Sequence, residues 1–377
     1  MNISYITTYN ALDIHQWSGT GFHIAESLKD QGASIDYIGN LHFEHESLYK
    51  AKQMLYKLAG KRYIRNREHA VARSYARQVE KRLPAATDII FAPDSIPLAY
   101  LNARQPKVFY TDATFAGMIN YYDAYSNLCK ETIVKANALE QQALSNCQMA
   151  IYASDWAAQT AIEYYDVSPG KVKVVPLGAN IDCNRTLADI KQIVAHKPKD
   201  VCNLLLLGVD WVRKGGDLVV SIAQKLNDSG LKTHLHVAGI RDLDTGKLPP
   251  FVTSHGFLSK STSSGRQKID ELMARSHFLV VPSQAEAFGV VFCEASSFGL
   301  PSLATATGGI TTVIQNNVNG HTFALEAKAD EYAAYILNQM SDPAGYGALA
   351  LSSYNDYCNR LSWEASGKSV IQLLKQL

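Results

Sequence analysis

The stretch Phe278-Leu279-Val280-Val281-Pro282-Ser283-Gln284-Ala285-Glu286-Ala287-Phe288-Gly289-Val290-Val291-Phe292-Cys293-Glu294 decides how this chain is read. Its first four residues form a continuous apolar run, the pattern of a strand buried on both faces of a parallel sheet. Pro282 and Ser283 turn the chain and Phe288-Gly289 ends the loop, so the next segment is predicted to be a helix whose first amides lack partners. Free amides and the helix dipole together favour an anion at that point. Glu286 in the loop and Glu294, little more than one turn into the helix, bracket the helix start. Carboxylates accept hydrogen bonds from hydroxyls, so the set suits a ligand that is both anionic and rich in hydroxyls, such as a nucleoside diphosphate sugar.

Outward from this stretch, short apolar runs alternate with longer helical patterns. Runs at 3–7, 34–38, 89–92, 107–110, 149–153 and 172–175 form one series, and runs at 203–208, 234–238, 278–281, 302–305 and 320–323 a second. Such alternation builds parallel sheets covered on both faces, so the expected fold class is α/β with two Rossmann-like domains. Pro176-Leu177-Gly178-Ala179-Asn180 closes the first series, and the polar segment 181–200 reads as the linker. An amphipathic helix is expected over 362–377, opening at Ser362 and Trp363.

At 377 residues and 47% hydrophobic content the chain can bury two cores. A formal net charge of +1 excludes a global field for nucleic acid. Cys129, Cys147, Cys183, Cys202, Cys293 and Cys358 show neither C-x-x-C nor finger spacing, which fits a reduced, cytoplasmic chain. The start Met1-Asn2-Ile3-Ser4-Tyr5-Ile6 lacks a basic leader, and no apolar run reaches the ~20 residues of a membrane span, so a soluble or peripheral protein is expected.

The ordered set of motifs resembles the retaining glycosyltransferases of family 4, the "glycosyl transferases group 1" type. The resemblance rests on Glu286 and Glu294 with Phe288 and Gly289 between them, followed by Gly299-Leu300-Pro301 and Gly308-Gly309-Ile310. Upstream it rests on the run ending at Gly208, Arg213-Lys214-Gly215-Gly216, His236-Val237-Ala238-Gly239 and Gly256-Phe257-Leu258. It is dense over 200–325 and looser over the first 180 residues. It implies the GT-B fold, two Rossmann-like domains facing a central cleft. Residues 1–180 would be the acceptor domain, 181–361 the donor domain, and 362–377 a helix returning to the first. It implies transfer of a hexose from a UDP- or GDP-linked sugar to an acceptor hydroxyl, with retention, in surface glycan or polysaccharide assembly. No essential cofactor or metal is implied.

By the same resemblance Glu294 accepts bonds from the ribose hydroxyls and Glu286 contacts the transferred sugar. Phe288, Gly289 and Val290 present backbone to the sugar and diphosphate, and Gly256 and Leu258 belong to the base-binding loop. Arg213 and Lys214 follow strand-end Gly208 at the sheet edge where doubly wound folds bind ligands, and preorganised cations there would stabilise a departing diphosphate. A solvated charge pair is the alternative. Gly19, Thr20 and Gly21 match the first Gly-rich loop of the family, under the diphosphate; as a dinucleotide fingerprint the segment fails, because Ile24 stands where the last glycine belongs. Two positions depart from the pattern. Val209 replaces the arginine after the strand-end glycine, and Asp112 lies near the place of a donor-contacting histidine, where it reads as a sugar contact or a helix N-cap. These departures favour the rival reading, a non-catalytic nucleotide-sugar-binding or scaffold subunit.

Residues 49–83 carry eleven Lys/Arg against Glu68 and Glu80, with Leu55, Tyr56, Leu58, Tyr63 and Ile64 interleaved. One or two basic amphipathic helices are expected, either a solvated face or a contact with an anionic membrane or lipid-diphosphate acceptor at the inner face of the membrane. Three metal-like patterns read as structural or surface features: His42 and His45 with Glu44 and Glu46, the pair Asp242 and Asp244, and the alternating His234 and His236.

Overall fold

Apolar runs become strands here where both sheet faces are covered. In the computed structural model, which describes residues 1–44 and 46–377, the first sheet contains β1 (Asn2–Ile6), β2 (Ser34–Ile38), β3 (Ile89–Ala92), β4 (Lys107–Thr111), β5 (Met149–Tyr152) and β6 (Val172–Val174). Their order is β2-β1-β3-β4-β5-β6, all parallel. The second sheet contains β7 (Cys202–Leu207), β8 (Thr233–Ala238), β9 (Val252–Ser254), β10 (Phe278–Val281), β11 (Ser302–Thr305) and β12 (Gly320–Phe323). Its order is β12-β11-β10-β7-β8-β9, again all parallel. The expected α/β class with two Rossmann-like sheets is what the chain adopts. β9 was not legible in the sequence. It is a three-residue edge strand after Pro249 and Pro250, too short to show a period.

In each sheet the chain order reverses beside the first strand of its series, at β1/β3 and at β7/β10. Doubly wound sheets bind ligands at the carboxyl ends of strands at such switch points. The loops after β1 and β3 in the first sheet, and after β7 and β10 in the second, lie at these switch points.

Contacts divide the chain into Met1–Leu177 with Trp363–Leu377, and Gly178–Ser362. Within the first unit the terminal helix Trp363–Leu374 packs on the helix Thr20–Asp30. A Cβ at Gly367 would lie 2.5 Å from the Ser27 carbonyl oxygen, so only glycine permits that approach. Val370, Ile371 and Leu374 are buried along the same helix, which is the returning helix the resemblance implied. In the second unit, the segment read as a linker contains the helix Leu187–Ala195. Thr186 and Asp189 cap it reciprocally, and Ile190 is fully buried.

The basic segment resolves into two helices of different character. His69–Glu80 buries Val71, Ala72, Tyr75, Ala76 and Val79 and belongs to the core, whereas Glu46–Leu58 buries none of its side chains. His42 donates its backbone N–H to Gln78, and Glu44 pairs with Arg77; His45 lies outside the described residues. All six cysteines are free thiols.

One buried histidine makes the second unit sensitive to acid. His277 Nδ1 accepts from the Asn203 amide at 3.0 Å while its Nε2 lies 3.0 Å from the Pro198 carbonyl. A neutral ring satisfies both contacts, and a second proton would oppose the Asn203 N–H. Burial, aided by the Lys197 charge, holds the His277 pKa down at about 4. The unfolded ring titrates near 6.5, so stability is full above that value and is lost as pH falls toward 4. Hydrogen exchange in β7 and β10 should show the unit about 2 kcal/mol less stable at pH 5 than at pH 7 from this group, and His277→Gln should flatten the pH dependence by that amount.

Candidate active site

In the second unit the loop after β7 carries the cations. Gly208 ends the strand run, and a Cβ there would lie 2.9 Å from Cγ of Lys214, so the glycine lets the lysine stem fold back against the strand end. Gly215, at φ +72°, starts the helix Gly216–Asp228, and a Cβ there would lie 2.5 Å from the Pro282 carbonyl oxygen. The loop is therefore pressed against the turn after β10. A backbone bond from the Gln284 N–H to the Arg213 carbonyl, 2.8 Å, joins the two loops.

That contact brings the predicted charges together. Glu286 Oε2 accepts from Lys214 Nζ and, at 3.4 Å, from Arg213 Nη1. Arg213 Nη1 also donates to the Ala285 carbonyl at 3.1 Å. Lys214 is buried, the Glu286 side chain is 13% exposed and that of Arg213 25%. The Glu286 carbonyl accepts from the Gly309 N–H at 3.0 Å, and a Cβ at Gly309 would lie 2.0 Å from the Ala287 carbonyl oxygen. Gly308-Gly309 is thus a packing device that fixes the Glu286 loop from its other side.

Gly289 takes φ +94° and starts the helix Val290–Ser296, with Phe288 buried before it and Val290 half-buried. This helix has seven residues, so its dipole is small and the fixed cations supply most of the positive field. Glu294, 1% exposed, accepts from Lys260 Nζ at Oε1, while its Oε2 has no hydrogen-bond partner. A buried carboxylate oxygen left unpaired is costly, and it is the atom a ligand hydroxyl would satisfy. Lys260 was not singled out from the sequence. It lies two residues beyond Leu258 in the expected base-binding loop, which alone could have flagged it. In that loop Gly256 takes φ +61° and accepts the Gly239 N–H at 2.8 Å, Leu258 is half-buried, and Arg241 stacks over Phe257 at 3.9 Å.

The first unit has its own pocket, about 260 Å³, at the ends of β3 and β4. Tyr9, Trp17, Arg67, Asp94, Asp112 and Glu140 are among its lining residues. Asp112 faces this pocket and is not the N-cap of the next helix; Thr114 fills that place, accepting the Gly117 N–H at 3.0 Å. Arg67, read as part of a basic surface, is instead a wall of the pocket, and its Nε and Nη1 lack hydrogen-bond partners. Burial pushes the Glu140 carboxyl up to about 7, against the pull of the Arg67 guanidinium, whose Nη1 is 3.8 Å away. Glu140 could have been suspected, because it lies on the same helix face as buried Ala136, Ala143 and Leu144. The Tyr9 hydroxyl is buried without a partner, and burial with the Asp94 charge raises its pKa to about 12. Gly19, at φ +85°, starts the helix Thr20–Asp30, and Thr20 and Gly21 are buried in its first turn. A Cβ at Gly21 would lie 2.1 Å from the Tyr9 hydroxyl, so this glycine makes room for a pocket wall.

Among the described residues no three His, Cys, Asp or Glu groups converge on a common point. Asp244 pairs with Lys247 at 3.0 Å, and His236 Nδ1 lies 3.2 Å from His255 Nε2.

Residues 193–355 match the family model described as "Glycosyl transferases group 1". The chain is 24% identical over 252 residues to a D-inositol 3-phosphate glycosyltransferase of Nocardiopsis dassonvillei, covering 63% of this chain and 57% of that protein. It therefore spans little more than half the length of that relative. Among solved structures it is similar to a sucrose-phosphate synthase from Thermosynechococcus elongatus, with a TM-score of 0.68, 15% identity, and 100% and 98% of the two chains covered. It is likewise similar to HepE of Anabaena in complex with UDP, with a TM-score of 0.68, 16% identity and 100% of both chains covered. At these identities the likeness establishes the fold, which is GT-B.

Removing the partner of Glu294 tests how that carboxylate is held. Lys260→Met should lower the unfolding free energy by about 2 kcal/mol in urea titrations, because a buried carboxylate loses its counter-charge. The surface control Lys268→Met, whose lysine pairs with Glu271 in solvent, should change it by less than about 1 kcal/mol.

Proposed function

We infer that this chain is a retaining glycosyltransferase of family 4 that moves a hexose from a UDP- or GDP-linked sugar to an acceptor hydroxyl. The observation that carries the reading is the pair of built carboxylates in the second unit: Glu286 fixed by Lys214 and Arg213, and buried Glu294 fixed by Lys260 with Oε2 unpartnered. An arrangement with two cations at one carboxylate and an open hydrogen-bond acceptor at the other suits a ligand with phosphate at one place and sugar hydroxyls at two. UDP and UDP-glucose are bound by HepE, which shares the fold.

In the mechanism proposed, Glu294 Oε2 accepts a ribose hydroxyl and Glu286 orients the transferred sugar. Lys214 and Arg213 are already in place when negative charge develops on the leaving diphosphate, so no reorganisation is needed at the moment of bond breaking. The acceptor hydroxyl attacks on the face the diphosphate leaves, and a diphosphate oxygen takes its proton, which removes the need for a protein base. No metal enters this scheme. The pocket of the first unit, with Asp94, Asp112 and Glu140 as hydrogen-bond acceptors and Arg67 as donor, suits a polyhydroxyl acceptor. Such an acceptor, a glycan or a lipid-linked saccharide, fits a role in surface glycan assembly on the cytoplasmic side. Among the described residues no helix is long and apolar enough to cross a membrane.

Calorimetry with UDP, GDP, ADP and their sugars, in EDTA, tests the reading. One nucleotide series should bind selectively, Glu294→Ala should weaken it at least tenfold, and Lys214→Ala should cut turnover by roughly 100-fold with a smaller change in binding. Absence of binding by every nucleotide and sugar nucleotide would leave the scaffold reading in its place.

A further inference from the structure

The helix Glu46–Leu58 is amphipathic in the unusual sense that its polar side faces the protein. Lys52 Nζ donates to Glu68 at 3.0 Å and to Glu131 at 2.5 Å, and the Tyr56 hydroxyl donates to Glu131 at 2.8 Å. Gln53 Nε2 reaches the Tyr63 carbonyl at 3.3 Å, Tyr56 stacks on Tyr63 at 5.3 Å, and Tyr49 meets Phe43 edge-on at 5.8 Å. Tyr49, Lys52, Gln53 and Tyr56 form one helical stripe, and that stripe is the attached one.

The other side is apolar and open. Leu48 is 64% exposed, Met54 65%, Leu55 68% and Leu58 81%. At about 100° per residue these four, with Ala51 between them, fall in an arc of about 120° opposite the attached stripe. Lys50 and Lys57, two turns apart, run along one edge of that arc, Lys50 in an exposed pair with Glu46 at 3.1 Å, and Lys61 follows just past the helix end. Four large apolar side chains in one contiguous exposed patch mark an interaction surface. An edge of lysines gives that surface a preference for negative charge, and long lysine stems lie along apolar surface while their ammonium groups stay in water.

We propose that the outward face of Glu46–Leu58 docks on an anionic lipid bilayer, with Leu48, Met54, Leu55 and Leu58 entering the headgroup–acyl boundary and Lys50 and Lys57 meeting lipid phosphates. The geometry suits a helix lying flat in the interface, where apolar burial and attraction to anionic lipid add. The core helix His69–Glu80 takes no part, which narrows the membrane contact from the whole basic segment to one helix. The biological use of such docking, access to a membrane-borne acceptor, rests on the transferase reading; the docking itself does not.

Flotation with vesicles of phosphatidylcholine, with and without phosphatidylglycerol, tests the proposal. Wild type should float with the anionic vesicles only, and high salt should weaken the binding. The double variant Leu55→Asp/Leu58→Asp, at solvent-exposed positions and checked for folding by circular dichroism, should lose binding, while Lys50→Gln and Lys57→Gln should each weaken it roughly fivefold. Failure of wild type to float, or flotation of the aspartate variant as well as wild type, overturns it. So does a dimer in sedimentation that the aspartate variant dissociates, since a second copy would then cover the face. Calorimetric nucleotide binding by the same variant should be unchanged. A protein that floats but binds no nucleotide would sink the transferase reading and leave the docking surface standing.

Discussion

The second unit depends on how closely the backbone can crowd at the carboxyl ends of its central strands. A Cβ at Gly239 would lie 2.2 Å from the Gly208 carbonyl oxygen, and one at Gly215 would lie 2.5 Å from that of Pro282. No side chain fits at either point, so the loops after β7, β8 and β10 meet as bare backbone. That approach carries Lys214 below the surface and holds it against Glu286. Burying two charges is expensive and an ion pair inside a protein is seldom a net source of stability. Its value lies in position. Charges fixed before a ligand arrives do not have to be reoriented when the reaction develops its own charge.

Glu294 follows the same logic from the other end of the site. It is almost wholly buried, yet one of its two oxygens is paired only with the half-exposed Lys260 and the other with nothing. The helix that carries it is too short to act as a strong dipole, so its service is geometric: it aims the carboxylate. The glycine at its start, at φ +94°, and the buried Phe288 before it set that aim.

The first unit stores its polar groups differently. Trp17 and Ser18 hold positive φ values of 46° and 53°, a conformation that costs energy in residues other than glycine and recurs at ligand sites. The unpartnered Tyr9 hydroxyl, Arg67 with its Nε and Nη1 outside hydrogen-bond reach of any partner, and Glu140, whose carboxyl pKa burial raises, surround one small pocket. Donors and acceptors left over in the same cavity suit hydroxyl ligands, because each hydroxyl both gives and takes a hydrogen bond.

Most of the fold could be read along the chain. Strands buried on both faces write themselves as short apolar runs, which is why 278–281 and 302–305 coincide with β10 and β11, while the edge strand β9 and the capped helix in 181–200 were missed for want of such runs. The spacing of Glu286, Gly289 and Glu294 likewise follows from strand, turn and helix, all local geometry. What the sequence could not say is which charges are buried. Arg67 and Leu55 lie in one basic stretch, yet the arginine lines a pocket and the leucine faces solvent. Lys260 and Glu294 are 34 positions apart and meet only because two loops converge. Sequence alone determined most of the elements and their order along the chain, since these depend on near neighbours. Burial, pairing and the outward turn of an apolar helix face were decided by the tertiary structure, because each depends on what the fold brings in from far along the chain.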